Sequence, residues 1–324
     1  MLKKIAVFTA LLLATSAFGF QKLDKIVIAG PSANVSHPIF RMIETDALKD
    51  VAKKVEFRLW NNPDQLRAMI INKEVDFVAV PTNVAAILYN KKQPVTLLNV
   101  SVWGILQILV RDRSINRLEK LKGDALVIPW RGDMPDIVLR AIMKKKGIGK
   151  KEIELIYVSN PMDAAQQLIM RRQDNALLPE PATSMVLRKT KSFPVSIVAP
   201  ELYRGIDLQK EWGEVFGTEA KIAQAGMAVV GKMRDNKEVV EAFEKAYEEA
   251  MEWYKAHPKE AGELVVKHIK MFTPEAVEDS VSQVQLQVVP AKEAKKDIEF
   301  FFTQMKNDNP KIIGGTLPDG GFYY

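Results

Sequence analysis

The fold of this chain is decided by the stretch Val127-Ile-Pro-Trp-Arg-Gly-Asp-Met-Pro-Asp-Ile-Val-Leu-Arg-Ala141. The apolar run at residues 125–128, closed by a proline, predicts a buried strand. Gly132 permits a tight turn, Asp133 can accept from free helical N–H groups, and Pro135 suits a first helical turn. The stretch therefore predicts a strand, a polar loop and a helix, with the helix N-terminus where open α/β sheets place ligands. The equal alternative to a ligand-binding loop is an ordinary strand-to-helix connection within a core.

The N-terminus has the three-part pattern of a cleavable export signal. Lys3 and Lys4 precede an apolar run over residues 5–14, and the small residues Ala17 and Gly19 mark a cleavage point. The run is too short to span a membrane, and no other stretch of the sequence has the roughly 18 uninterrupted apolar residues that a spanning helix needs. We therefore predict that the segment 1–19 is a signal peptide and that the mature protein is a soluble protein of the periplasm.

Composition excludes several classes of site. The chain has no cysteine, so disulfides, thiolate metal ligands and a cysteine nucleophile are all impossible. A lipid-modified cysteine is impossible for the same reason, so a lipoprotein is not expected. The formal net charge of +6 falls by two when Lys3 and Lys4 are removed, and the remaining excess is spread along the chain. Without a basic stripe, nucleic acid is not an expected partner.

Beyond the signal peptide, predicted strands and helices alternate. Strands at residues 25–29, 55–59 and 76–80 are each followed by a helical pattern, and a second series restarts at residues 153–158. The run at residues 195–199 predicts a further strand. Such alternation is typical of parallel strands with helices on both faces, with the polar loops gathered on one edge of the sheet. About 300 mature residues exceed what one hydrophobic core usually serves, so two lobes are expected.

The second series interrupts a chain that later returns to helices, which predicts an inserted lobe. We predict a first lobe of residues 20–109 and 224–324 and a second lobe of residues 110–223. The crossings between them are expected near residues 109–113 and 219–225.

Three segments then carry a family resemblance: Leu178-Pro-Glu-Pro-Ala182, residues 165–180 and residues 64–81. With the export signal, they resemble the periplasmic substrate-binding proteins of ABC importers, within the group that handles nitrate, alkanesulfonates, taurine and thiamine-precursor pyrimidines. The resemblance covers the mature chain. It implies an α/β, two-lobed type II periplasmic binding fold, in which each lobe is a mixed sheet flanked by helices and two hinge crossings join the lobes. The segment Arg172-Gln-Asp-Asn-Ala176 departs from the family's usual Gly-x-Val-Asp-Ala, which leaves the ligand open.

The function implied by this resemblance is capture of a small organic or oxyanion ligand, similar to a sulfonate or nitrate, between the lobes. Delivery to a membrane permease and its ATPase would follow. The protein is expected to be a monomer and to need no cofactor. Neither enzymatic activity nor a metal site is expected, because the sequence has neither a Gly-x-Ser-x-Gly elbow nor a metal-ligand spacing. The alternatives are a binder of a pyrimidine or other amine, a ligand-presenting sensory protein, and an enzyme on the same fold, against which the export signal argues.

Candidate ligand-binding residues follow the predicted strands. Hydroxyl and amide groups there can form hydrogen bonds beside free helical N–H groups, and tryptophan rings can stack on a flat or alkyl ligand. Arg131 could pair with an oxyanion, whereas Asp133 and Glu180 would repel an anion and favour an amine. Turn formation, helix capping and core packing are the alternatives for these side chains. The candidates are Ser32, Asn34, Ser36, His37, Asn61, Thr82, Asn83, Trp103, Trp130, Arg131, Asp133 and Glu180.

The export signal makes a direct prediction about the mature protein. Because a charged and then apolar N-terminus is removed on export, we expect cleavage near Gly19 and accumulation in the periplasm. Intact-mass measurement of the exported pool checks this, and a mass that retains residues 1–19 would contradict it.

Overall fold

The structure is a computed structural model that describes residues 21–198 and 201–324, so the predicted signal peptide lies outside the described residues. The strands are β1 Ile26–Gly30, β2 Val55–Leu59, β3 Phe77–Pro81, β4 Val95–Leu97, β5 Asn99–Gly104, β6 Leu106–Val110, β7 Ala125–Pro129, β8 Glu154–Val158, β9 Ala176–Pro179, β10 Tyr203–Asp207, β11 Ala225–Val230 and β12 Gln285–Pro290. The helices are α1 His37–Glu44, α2 Pro63–Ile71, α3 Thr82–Asn90, α4 Met134–Lys145, α5 Pro161–Ile169, α6 Ala182–Lys191, α7 Val195–Val198, α8 Leu208–Phe216, α9 Lys237–Ala256, α10 Pro258–His268, α11 Pro274–Val281 and α12 Lys295–Asp308.

These strands form two separate mixed sheets. The first has the order β12-β5-β11-β3-β1-β2, with β4 paired to β11, and the second has the order β10-β6-β9-β7-β8. In the first sheet β1 runs parallel to β2 and β3, because helical crossovers connect them, whereas β11 returns antiparallel to β3. In the second sheet β7 is parallel to β8 and β9, and β6 is antiparallel to β9. The predicted fold class, two mixed sheets flanked by helices, is confirmed.

The chain passes between the sheets twice. The first passage is at Ile105, because Gly104 ends β5 in the first sheet and Leu106 begins β6 in the second. The chain returns after α8, and re-enters the first sheet at Ala225. The first passage thus precedes the predicted segment 109–113, and the second ends at the predicted segment. On this basis we propose that each lobe is one sheet with the helices that pack on it.

Side-chain caps begin several of the helices. Asn62 and Asn160 cap α2 and α5, each accepting from backbone N–H groups in the first turn. Asp133 precedes α4 but makes no capping hydrogen bond. The predicted strand over residues 195–199 was wrong in its described part, since Val195–Val198 is the short helix α7. A short run of mostly apolar residues does not distinguish a strand from a helical turn.

The first lobe is held together by α9 against its sheet. Phe243 of α9 stacks on Phe77 of β3 with ring centroids 3.9 Å apart, and the buried Tyr247 and Tyr254 continue the same face. Removing such a buried aromatic ring costs about 3–5 kcal/mol of the free energy of unfolding. The C-terminal Phe322 is also buried in this lobe. No helix in the described part of the chain is long and apolar enough to cross a membrane.

Close packing of β11 on β5 predicts that Gly226 tolerates no side chain. A Cβ at Gly226 would lie 1.9 Å from the carbonyl oxygen of Asn99, which is backbone and cannot move aside. Gly226→Ala should therefore lower the free energy of unfolding by about 1–3 kcal/mol or more. Gly320→Ala is the matched control, because nothing lies within 4 Å of its added Cβ. Denaturant unfolding of both variants checks this, and equal stabilities would contradict the packing described.

Candidate functional site

A cavity of about 70 Å³ lies between the two sheets, at the edge where β1 and β3 end and β11 begins. The first lobe contributes Pro31, Trp60 and Gln224 to its wall, and the second contributes Trp130 and Pro179. Among the residues that the structure describes, those lining this cavity carry no ionisable side chain. The cavity is therefore an apolar space between the lobes, at the position where ligands bind in open α/β sheets.

Two tryptophans in the wall of this cavity pack against each other. The rings of Trp60 and Trp130 have centroids 6.2 Å apart, at an angle of 48°. Trp60 is buried, and its Nε1 donates to the carbonyl oxygen of Ala79 at 3.3 Å, so it is a fixed part of the first lobe. Trp130 is half-buried, and its Nε1 donates across the cleft to the carbonyl oxygen of Asn61 at 3.3 Å.

The backbone of Trp130 is in the left-handed region, with φ of +56°. For a bulky residue this conformation costs of order 1–3 kcal/mol, and such strain persists mostly at functional sites. Trp130 thus combines a strained backbone with a ring in the cavity wall, and its contact with a ligand stays a prediction. Asn61, by contrast, is exposed, and it contacts Trp130 through its backbone carbonyl group.

Of the twelve predicted site residues, Trp130 lines this cavity and the other eleven, Trp103 and Arg131 among them, lie outside its lining. Trp103 donates from Nε1 to the carbonyl oxygen of Gln287 at 2.9 Å, and Lys221 Nζ lies 5.4 Å from its ring centroid. Arg131 is exposed, with its guanidinium carbon 5.0 Å from the ring centroid of Tyr157. Both side chains pack against their own surroundings, and the structure does not bring them together with Trp130.

The loop after β1 is fixed by a buried polar network. Asn34 Nδ2 donates to Tyr254 Oη at 2.8 Å and to Ser280 Oγ at 3.0 Å, which ties the loop to α9 and α11. His37 Nδ1 lies 2.9 Å from the same Tyr254 hydroxyl. Burial lowers the pKa of His37 to about 3, with the backbone of Ser32 acting weakly in the opposite direction, so the imidazole is neutral. The network therefore holds the loop without introducing a charge.

Three buried polar atoms of this loop and the first residue of α1 have no hydrogen-bond partner within the described residues: Asn34 Oδ1, Ser36 Oγ and His37 Nε2. Ser36 is fully buried, and its Oγ makes no hydrogen bond within the described residues. It lies against Gly30, where an added Cβ would come within 2.2 Å of the hydroxyl. The absence of a side chain at Gly30 is what leaves room for Ser36 at the end of β1.

Thr82 and Asn83 begin α3 at the neighbouring strand end, and they differ in their bonding. Thr82 Oγ1 donates to the carbonyl oxygen of Ala223 at 2.6 Å, and its backbone N–H donates to that of Gln224 at 3.0 Å. Asn83 is fully buried, yet neither its side-chain oxygen nor its nitrogen has a partner in the described chain. Thr82 therefore binds the backbone just before β11, whereas the side-chain carboxamide of Asn83 is unbonded within the described chain.

Ion pairs join the lobes around the cavity. Arg67 Nη2 of α2 lies 2.9 Å from Asp133 Oδ1 at the start of α4. Burial raises the pKa of Asp133, and the opposing effect of Arg67 only partly offsets it. On the opposite side, Arg188 of α6 pairs with Asp279 of α11, with Nη2 2.8 Å from Oδ1. The exposed Arg188–Asp279 pair is worth about 0–1 kcal/mol, whereas the carboxylate of the Arg67–Asp133 pair is buried.

Glu180 lies within the second lobe and supports the passage between the sheets. Its fully buried carboxylate pairs with Arg204 and accepts from the backbone N–H of Ser184 at 3.0 Å. Burial raises the pKa of Glu180, against the lowering effect of Arg204. The backbone N–H of Glu180 donates to the carbonyl oxygen of Ile105 at 3.1 Å. Its carboxylate is thus occupied by protein groups, and its backbone braces the hinge.

The ionisable groups near the cavity are engaged with each other in this arrangement. No group of three or more potential metal ligands occurs within residues 21–198 and 201–324. What the site offers chemically is an apolar space beside two packed indole rings.

The fold and this site define a two-lobed protein of the type II periplasmic binding class. The chain belongs to the NMT1/THI5-like family, whose sequence profile matches residues 54–261. Both the group and the fold expected from the sequence are thereby confirmed. No curated protein sequence matches the chain.

Solved structures of the same fold come from several organisms. An ABC transporter protein from Parabacteroides distasonis is 24% identical, with a TM-score of 0.73 over 93% of this chain and 99% of that chain. The aliphatic sulphonate binding protein SsuA from Escherichia coli is 12% identical, with a TM-score of 0.67 over 92% and 94% of the two chains. The nitrate-binding protein NrtA from Synechocystis PCC 6803 is 13% identical, with a TM-score of 0.67 over 89% and 82%. At these identities the likeness shows the fold alone.

The position of Trp130 predicts a binding defect without a folding defect. Trp130→Ala should weaken ligand binding by about 1–3 kcal/mol, because it removes one of the two rings in the cavity wall. Its melting temperature should change little, since the ring is only half-buried. Trp253→Ala is the control: Trp253 is also half-buried but packs on His257 and Arg41, away from the cavity. A sharp loss of melting temperature with unchanged affinity per folded molecule would instead make Trp130 a core residue.

Proposed function

We propose that this protein is the exported substrate-binding component of an ABC importer, which delivers its ligand to a membrane permease and its ATPase. One observation carries the proposal: the apolar cavity is walled by both lobes, with Trp60 of the first lobe and Trp130 of the second packed together in its wall. Family membership and fold support the same role. The protein would act in the periplasm as a monomer, after loss of the signal peptide 1–19.

The lining favours a ligand with an apolar part. A bare inorganic oxyanion such as nitrate would lose its hydration in a space whose described lining has no cation, which is strongly unfavourable for an unpaired charge. An alkanesulfonate, whose charged end could approach the N-termini of α1 and α3, retains an apolar body for the rings. A flat pyrimidine-like or amine ligand would stack between the same rings. The site thus supports a small organic molecule better than an inorganic ion.

Binding without turnover is the proposed mechanism. A ligand that touches both Trp60 and Trp130 stabilises the arrangement in which the lobes approach, so it shifts an open–closed equilibrium by its differential affinity. The motion is a hinge at the two passages between the sheets, and a permease would recognise the closed form. The cavity of about 70 Å³ is far below the 300–1,000 Å³ of drug-sized sites, so larger ligands require the lobes to separate.

A catalytic role is not proposed, because the buried ionisable groups near the site are occupied. His37 is neutral and bound to Tyr254. Glu180 is paired with Arg204, and Asp133 with Arg67. General acid–base catalysis needs a group positioned to exchange a proton with the reacting molecule. The carboxylates of Glu180 and Asp133 are directed to protein partners, and His37, whose Nε2 has no partner in the described chain, is buried.

Native mass spectrometry of the protein purified from periplasmic extract tests the proposal. We expect one small molecule bound per chain, released unchanged on denaturation. Trp130→Ala should lose the bound species, and the control Trp253→Ala should retain it. Steady conversion of the bound molecule to a product would contradict the non-catalytic role, and a wild-type protein that takes up no small molecule would contradict the binding role.

A further inference from the structure

A groove of about 800 Å³ lies along α4, and none of its lining residues lines the cavity between the sheets. Gly132 lies at one end, before α4 begins, and Lys150 lies at the other end, after the helix has ended. The opposite wall includes Met305, Asp308 and Ile312, at the end of α12 and just after it. In the proposed division of the chain α4 belongs to the second lobe and α12 to the first, so the width of the groove depends on how the lobes are arranged.

The turn after α4 is strongly basic. The stretch Lys144-Lys-Lys-Gly-Ile-Gly-Lys-Lys151 has five lysines in eight residues. Lys146 is directed inward, where it pairs with Glu211. Lys150 and Lys151 are exposed and make no ion pair with another described residue. They lie beyond the last turn of α4, so interaction with the helix dipole does not account for them.

A buried carboxylate orders the other end of the groove. Asp136 is 3% exposed and accepts from Arg140 Nε at 2.7 Å and from the Tyr157 hydroxyl at 2.9 Å. It also accepts from the N–H of Gly132 at 2.9 Å. Arg140 is therefore held in place, and its Nη1 makes no hydrogen bond within the described residues. The guanidinium carbon of Arg131 lies 5.0 Å from the Tyr157 ring centroid and that of Arg140 5.8 Å, so two arginines meet at one ring beside the groove.

The charge that a partner can reach in this groove is positive. The described lining has two carboxylates, of which Asp136 is enclosed by its own partners and Asp308 is bound to Lys144 across the lobes. Arg140 and Lys150 remain as accessible cations. Apolar side chains of α4, of β8 and of the segment after α12 make up much of the remaining lining. A complementary occupant is therefore acidic and partly apolar.

The length of the groove favours a chain segment over a compact ion. α4 has 12 residues, so the groove beside it is about 18 Å long. A compact anion would reach the arginine end or the lysine end, but not both. An extended segment rises about 3.3 Å per residue and would span this distance with about five or six residues. A bilayer surface is flat on this scale, so its head groups would leave the apolar floor of the groove unfilled.

We infer that the groove along α4 is a docking site for an acidic, partly apolar segment of a partner protein, which on the proposed function is the permease. Complementary charges at such a surface steer the encounter and fix the register of the partner. Because the two walls belong to different lobes, a partner that binds the groove distinguishes this arrangement of the lobes from others. The inference rests on the proposed function and names the chemistry of its partner.

Two pentapeptides with blocked ends test the charge of the occupant. One is Glu-Leu-Glu-Leu-Glu and the other is its uncharged counterpart Gln-Leu-Gln-Leu-Gln, each carrying a rhodamine label for fluorescence anisotropy. Measurements start at low ionic strength, because salt screens exposed charges. We expect the acidic peptide to bind about tenfold or more tightly than the glutamine peptide, and its affinity to fall as salt is added.

Charge substitutions locate the bound peptide. Lys150→Glu should weaken the acidic peptide about tenfold, because attraction at the lysine end of the groove becomes repulsion. Asp308→Asn should strengthen it about threefold, because the groove loses its accessible carboxylate and Lys144 is released. Lys259→Glu is the matched control, since Lys259 is exposed on α10, lies outside the groove lining and undergoes the same change of charge. The control should shift the affinity by less than about twofold.

The contrary results are specific. Equal effects of Lys150→Glu and Lys259→Glu on the acidic peptide would overturn the inference, and so would equal binding of the two peptides or no binding at millimolar concentration. Phosphatidylglycerol vesicles test a membrane as the occupant. Sedimentation with vesicles that is lost in Lys150→Glu, without any binding of the peptide, would assign the surface to lipid and would also overturn the inference. The proposed function is tested separately, by whether the wild-type protein captures a small molecule from periplasmic extract.

Discussion

The constraint on which the structure depends is the single residue, Ile105, that separates the two sheets. Gly104 belongs to the first sheet and Leu106 to the second. Gln209 of α8 accepts from the N–H of Ile105 at 3.3 Å and from that of Leu106 at 3.0 Å through one oxygen. A Cβ on Gly104 would lie 2.6 Å from Gln209 Cγ, so this contact needs a glycine there. The passage is therefore short, hydrogen-bonded and closely packed.

Because the connection is one residue long, the strand edges of the two lobes lie close to each other. Ile105 and Leu106 themselves line the cavity, and the loops that carry Trp60 and Trp130 meet above them. Beyond the passage, the interlobe contacts include the Arg67–Asp133 pair and the buried rings of Trp212 and Phe301, whose centroids are 5.5 Å apart. A ligand that touches both lobes adds its binding energy to these contacts and so shifts the equilibrium between arrangements of the lobes.

Local sequence signals predicted the parts of the fold that depend on neighbouring residues. The bounds of β2, Val55–Leu59, match the predicted strand, because a strand signal depends on a few residues close in sequence. Trp130 was predicted for the site from its place after a strand, and it lines the cavity. The loop residues Asn34 and Thr82 also lie at the predicted strand ends, although their side chains bind protein groups.

The features that sequence patterns did not predict depend on contacts between residues that are distant in the sequence. Gln224 was overlooked because candidates were sought after strands, whereas β11 runs antiparallel and begins at the edge where β3 ends. The signal that could have identified Gln224 is its place as a polar residue directly before an apolar run. Asp133 looked like a helix cap, but its partner Arg67 is 66 residues away in sequence. Trp103 likewise meets Gln287, 184 residues further along the chain, which no local pattern could indicate.

The central claim, that both lobes enclose one ligand and move together on binding it, is tested most directly by a distance between the lobes. The chain has no cysteine, so Lys49→Cys and Lys151→Cys, at exposed positions of the first and second lobes, can carry a pair of spin labels. Pulsed electron resonance would compare the distance distribution with and without a low-molecular-mass periplasmic extract. The account predicts that the extract converts a broad distribution into a single narrower one, and that Trp130→Ala abolishes this change. An unchanged distribution in a protein that has taken up its ligand would contradict it.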